Sequence, residues 1–98
     1  MKRPCGTMVP MEEALAALDR RAWHEARAAF EEVLAREERP DALEGLGTAL
    51  FWLDRADQSL AARERAFRLF RERGDVRSAA RVAEAIRAAA PAGVGIAA

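Results

Sequence analysis

From position 11 to position 90, apolar residues recur at three- and four-residue intervals, the spacing of helices that bury one face. Met11, Ala14, Leu15, Leu18 and Ala22 form the first stripe and predict a helix near 11–20, followed by a polar break at residues 19–21. Trp23, Ala26, Phe30, Val33 and Leu34 form the second, near 22–38. It runs into a charged segment and is blocked at Pro40, which has no N–H to donate. Asp41 is expected to cap a third helix near 41–54, with Glu44 completing a capping box.

The stripe of that third helix is Leu43, Leu46, Leu50 and Leu53, and Gly45 and Gly47 lie within it. Each glycine costs roughly 1 kcal/mol relative to alanine in a helix, a cost tolerated where a neighbour must come close. Residues 54–57 break the pattern, and Asp57 is placed to cap a fourth helix near 57–73 carrying Leu60, Ala62, Ala66, Phe67, Leu69 and Phe70. Gly74 suits the left-handed residue after a helix end. Asp75 then caps a fifth helix near 75–90, with Ala79, Val82, Ala83 and Ile86 on one side. Residues 1–10 and the uncharged tail 91–98 show no periodicity and are expected to be disordered.

The pattern repeats. ALAALDR at 14–20 returns as ALFWLDR at 49–55, 35 residues on, with five of seven positions identical, and ERPDA at 38–42 returns as ERGDV at 72–76, 34 residues on. A period near 34 that carries helix–turn–helix is the signature of tetratricopeptide-type repeats. The expected fold is all-α: antiparallel helix pairs stacked as a short right-handed solenoid of about two and a half repeats. In such an array each pair buries its neighbour's face and the ends are weakest.

Ninety-eight residues bound the answer to one small domain or a piece of a larger one, and much of its 51% hydrophobic content is alanine, which buries little area. The formal charge is zero, which removes any general attraction to nucleic acid or anionic membrane. Residues 1–44 carry ten acids against seven bases and residues 45–98 six against nine, a mild gradient that fits ordinary helix faces. Cys5 is the one cysteine, so neither an internal disulfide nor a cysteine-based zinc cluster is available. The N-terminal segment lacks an apolar signal region and no run is long enough for a membrane span, so a cytoplasmic protein is expected.

The run ALEGLGTALFWLD at 42–54, continued by AARERAFRLFRERGDVRSAARVA at 61–83, resembles the N-terminal helical repeats of large bacterial LuxR-type transcriptional regulators. The upstream RRAWHEARAAFEEVLA at 20–35 is similar to the preceding repeat in those proteins. The resemblance covers roughly residues 12–87 and implies a fragment of the regulatory region without the DNA-binding domain. Ser59 and Arg63 depart from the pattern, standing where such repeats prefer alanine and an aromatic.

Concave repeat surfaces bind peptides, and exposed aromatics are preferred anchors. If the repeat register holds, Glu44, Thr48, Phe51 and Trp52 line that surface with Glu13, Ala16 and Ala17 from the first helix. The competing reading is that Phe51 and Trp52 pack on a neighbouring helix or on a further repeat. The arginines at 63, 65, 68, 71 and 73 are interrupted by Glu64 and Glu72 and read as a solvated face rather than an anion site. His24 has no partner for acid–base or metal chemistry, and no nucleophile elbow or phosphate loop occurs. The expectation is a non-enzymatic protein, with no cofactor or metal, that binds a protein or peptide or self-associates through the last helix. The alternative is a small DNA-binding helix-turn-helix protein reading bases with Arg77, Ser78 and Arg81, for which direct nucleic-acid binding is unfavoured.

Overall fold

The computed structural model describes residues 11–90, and the disorder expected of residues 1–10 and 91–98 lies outside the described residues. The described residues form five α-helices and no strand: α1 (Met11–Asp19), α2 (Trp23–Leu34), α3 (Pro40–Trp52), α4 (Ala56–Glu72) and α5 (Val76–Ala89). The all-α class is therefore observed. Each helix packs against its neighbours in the chain, and α1 also touches α3. The connections between them are three to five residues long.

The sequence explains why α3 can be approached from two sides. Gly45 and Gly47 are two positions apart, so their faces diverge by about 200° around the helix. A side chain at Gly45 would overlap the ring of Phe30 from α2, which is fully buried. A side chain at Gly47 would lie 2.6 Å from Arg63 Cγ of α4. Ser59 of α4 donates from Oγ to the Gly47 carbonyl at 2.7 Å, closing the same seam. Two core clusters result, one from α1, α2 and α3 and one from α3, α4 and α5, with Leu34 and Leu46 packed against both.

Three of the four turns are built alike. Arg21, Asp54 and Gly74 each take a positive φ, at 62°, 65° and 77°. In each turn the next amide reaches back five residues: Ala22 to Ala17, Arg55 to Leu50 and Asp75 to Phe70, all at 2.9 Å. The left-handed residue's own amide bonds three residues back, which completes a Schellman end. Two of the three left-handed positions lack glycine.

Several expected details differ. α2 ends at Leu34 rather than near 38, and Arg39, which precedes proline, is held extended (φ −117°, ψ 128°). Pro40 occupies the first turn of α3 and moves the cap back to Arg39, so Asp41 is not the cap. Asp41 instead accepts two hydrogen bonds from Arg39, at 3.0 and 2.7 Å, and one from the Ala42 amide at 2.8 Å. Burial raises its carboxyl pKa, but Arg39 and the backbone amides together outweigh it and the net shift is downward. Glu44 makes no capping box, and Asp57 lies inside α4 after the cap residue Arg55. Asp75 does cap α5, accepting from the Ser78 amide at 3.1 Å, and the Ser78 side chain, with that amide, holds its carboxyl below the ordinary 3.8. The buried face of α4 is Ser59, Ala62, Arg63, Ala66 and Phe70, whereas Leu60 is 43% exposed.

Two substitutions test these constraints. Gly45→Ala improves intrinsic helix propensity yet should destabilise the protein by about 1–3 kcal/mol in urea titration, because Phe30 has no room to yield. Arg21→Gly should raise stability by about 1 kcal/mol by relieving the left-handed strain, with the helical circular dichroism unchanged.

Candidate functional site

The C-terminal end of α3 carries the one extended aromatic group among the described residues. Phe51 and Trp52 are adjacent, so they diverge by about 100° and serve different neighbours. Trp52 stacks on Trp23, the first residue of α2, with ring centroids 5.6 Å apart and planes inclined by 12°. Phe51 meets Trp52 edge-on at 5.3 Å. The Arg63 guanidinium lies over the Phe51 ring, 5.4 Å from its centroid. The row Trp23–Trp52–Phe51–Arg63 thus joins α2, α3 and α4. Trp52 remains 58% exposed and Phe51 37%, so the row is ordered and open to a partner at once.

The remaining residues of the expected concave face fall in different surroundings. Glu13 is exposed on α1. Ala17 is buried in the α1–α2–α3 cluster and offers no binding surface. The reason is register: the sequence echo pairs Ala17 with Trp52 at a spacing of 35, whereas the left-handed turn residues Arg21 and Asp54 are 33 apart. At that spacing Ala17 corresponds to Leu50, which is also buried. Thr48 is half-buried and donates from its hydroxyl to the Glu44 carbonyl at 3.3 Å. Glu44 accepts two hydrogen bonds from Arg81 of α5, at 2.7 and 2.8 Å, a bidentate link between α3 and α5. Ala79 and Val82, expected on the open side of the last helix, are buried against α4.

The basic run is also divided. Arg65, Arg68, Arg71 and Arg73 are exposed, and Arg65 pairs with Glu38 from the α2–α3 connection. Arg63 is buried at 8% exposure, and that burial lowers its pKa from the ordinary arginine value, with Glu44 opposing the shift. Of the three candidate base readers on α5, Arg81 is held by Glu44, and the Ser78 amide by Asp75. His24 is exposed. Among the described residues no group of three or more His, Cys, Asp or Glu is placed to hold a metal, and no helix is long and apolar enough to cross a membrane.

Sequence reasoning missed Trp23 and Arg63 as members of the site. Trp23 reads as ordinary core because it opens an apolar stripe. Arg63 had a signal: it falls seven residues before Phe70 and three before Ala66, on the apolar stripe of α4 and at a position where the repeat pattern slips. No family model matches the chain, and neither a curated protein nor a solved structure matches it.

The stack should be measurable in solution. A double-mutant cycle with Trp23→Ala and Trp52→Ala should give a coupling of about 0.5–1.5 kcal/mol by denaturant unfolding. Strictly additive losses would contradict a formed stack.

Proposed function

We propose that the chain is a non-catalytic protein-interaction scaffold of tetratricopeptide type, of the kind that forms the regulatory region of LuxR-type transcriptional regulators. The observation that carries this reading is Trp52: a large aromatic, mostly exposed, yet held in one orientation by Trp23 beneath it and Phe51 beside it. Ordering the side chain in advance lowers the entropy lost on binding, and aromatic anchors dominate binding energy at protein interfaces. The order of helix contacts supports the repeat reading, since each helix packs chiefly on its chain neighbours and α1 and α3, the first members of successive pairs, also touch. The recurrence of one turn geometry between α1 and α2 and between α3 and α4 supports it independently.

The partner on this reading is a cytoplasmic protein or peptide that presents an apolar side chain to Trp52, and no bond is made or broken. The charge balance of zero and the engagement of Arg81 with Glu44 favour a protein partner over DNA.

Panning a displayed library of short peptides on the folded chain should return binders with an apolar anchor. Trp52→Ala should weaken them by about thirtyfold or more, with far-ultraviolet circular dichroism retained. Equal affinity for the wild-type chain and the variant, or a salt-sensitive gel shift with duplex DNA in place of peptide binding, would overturn the proposal.

A further inference from the structure

Arg63 is the least expected residue in the core. Its methylene stem lies against Gly47, and its guanidinium covers one face of Phe51. It is more than nine-tenths buried, and among the described residues it makes no hydrogen bond and no ion pair. The Glu44 carboxylate opposes the effect of burial on Arg63, and both Glu44 oxygens already accept from Arg81. No side-chain nitrogen or oxygen among the described residues is both fully enclosed and without a partner, so each Arg63 guanidinium nitrogen keeps some contact with solvent.

Arg63 lines a groove of about 310 Å³ at the α3–α4 turn, together with the apolar walls of Phe51, Leu60, Ile86 and Ala89 and the exposed Asp57 at its rim. Pockets of this size with apolar walls and one directing polar group are suited to small ligands. A guanidinium offers two parallel N–H donors that match a carboxylate, and one negative charge neutralises one positive charge. A phosphate dianion would retain uncompensated charge against apolar walls, which is costly.

We propose that this groove binds a small free acid, with its carboxylate on Arg63 and its aliphatic or aromatic tail along Phe51, Leu60, Ile86 and Ala89. The groove adjoins the peptide surface around Trp52, and the two share Phe51 and Arg63. Ligand in the groove would brace the Phe51 ring that meets Trp52 edge-on.

Titration of the whole chain with octanoate, followed by tryptophan fluorescence and calorimetry, tests the proposal. The acid should bind saturably at one site per chain, and octan-1-ol should bind at least about tenfold more weakly, the loss expected for a charged hydrogen bond. Arg63→Met retains a stem to pack on Gly47 and should lose a similar factor for octanoate, whereas Arg63→Lys should keep the preference for acid over alcohol. If Arg63→Met fails to fold by circular dichroism, the acid–alcohol contrast on the wild-type chain and on Arg63→Lys decides. Equal binding of acid and alcohol, undiminished octanoate binding by folded Arg63→Met, or no saturable octanoate binding would overturn it. Binding confined to a peptide with a free C-terminal carboxylate would overturn it as well, since the ligand would then be a chain end. Loss of peptide binding at Trp52 with octanoate binding intact would defeat the interaction scaffold and leave this site standing.

Discussion

Everything in this structure depends on two glycines that clear opposite sides of one helix. Gly45 lets the buried Phe30 ring from α2 press onto the α3 backbone, and Gly47 admits Arg63 and Ser59 from α4. Without side chains at those points, α3 can be the middle layer of both core clusters. Eight of the fourteen buried apolar residues among those described are alanine, so each contact buries little area and close approach has to supply the packing. A helix of ordinary propensity with alanine at both positions could not lie so near its two neighbours.

The same close approach fixes the unusual features of the site. Because Gly47 accepts the Arg63 stem, the guanidinium emerges beside Phe51 instead of reaching solvent along the outer face of α4. Phe51 is then covered on one side by a cation and touched at its edge by Trp52, and Trp52 is steadied by Trp23 from the first helix pair. Each aromatic is positioned by a different helix, so the orientation of the row reports how the helices sit together. The Glu44–Arg81 link performs a similar task at the other end of α3, tying it to α5 with a bidentate pair that is partly exposed and of modest energy.

The turns show where local chemistry and tertiary arrangement part company. Gly74 is the residue that a left-handed helix end prefers, and the chain turns there as its sequence indicates. Arg21 and Asp54 carry the same geometry without glycine, held by the same pair of reverse hydrogen bonds. Repetition in sequence proved an imperfect guide to repetition in structure. The ALAALDR echo is 35 residues long in period, but the turns that end α1 and α3 are 33 apart, and that difference of two residues puts Ala17 in the core. Likewise, Asp41 and Asp75 match in the sequence echo, but Pro40 starts α3 early and only Asp75 becomes a cap.

By itself, the sequence determined the five helices, their order, the α5 cap at Asp75 and the need for close approach at Gly45 and Gly47. These follow from short-range physics: apolar spacing, capping chemistry and the conformational limits of proline and glycine. Tertiary structure alone decided which face of α4 is buried, where Arg63 goes, that Trp23 lies under Trp52, and that Glu44 serves Arg81 rather than its own helix end. Those outcomes depend on the rotation of one helix against another, a quantity set by contacts between residues 12 to 37 positions apart. A 3.6-residue pattern rich in alanine admits several such rotations, and only the packing of Phe30 and Arg63 onto the two glycines selects among them.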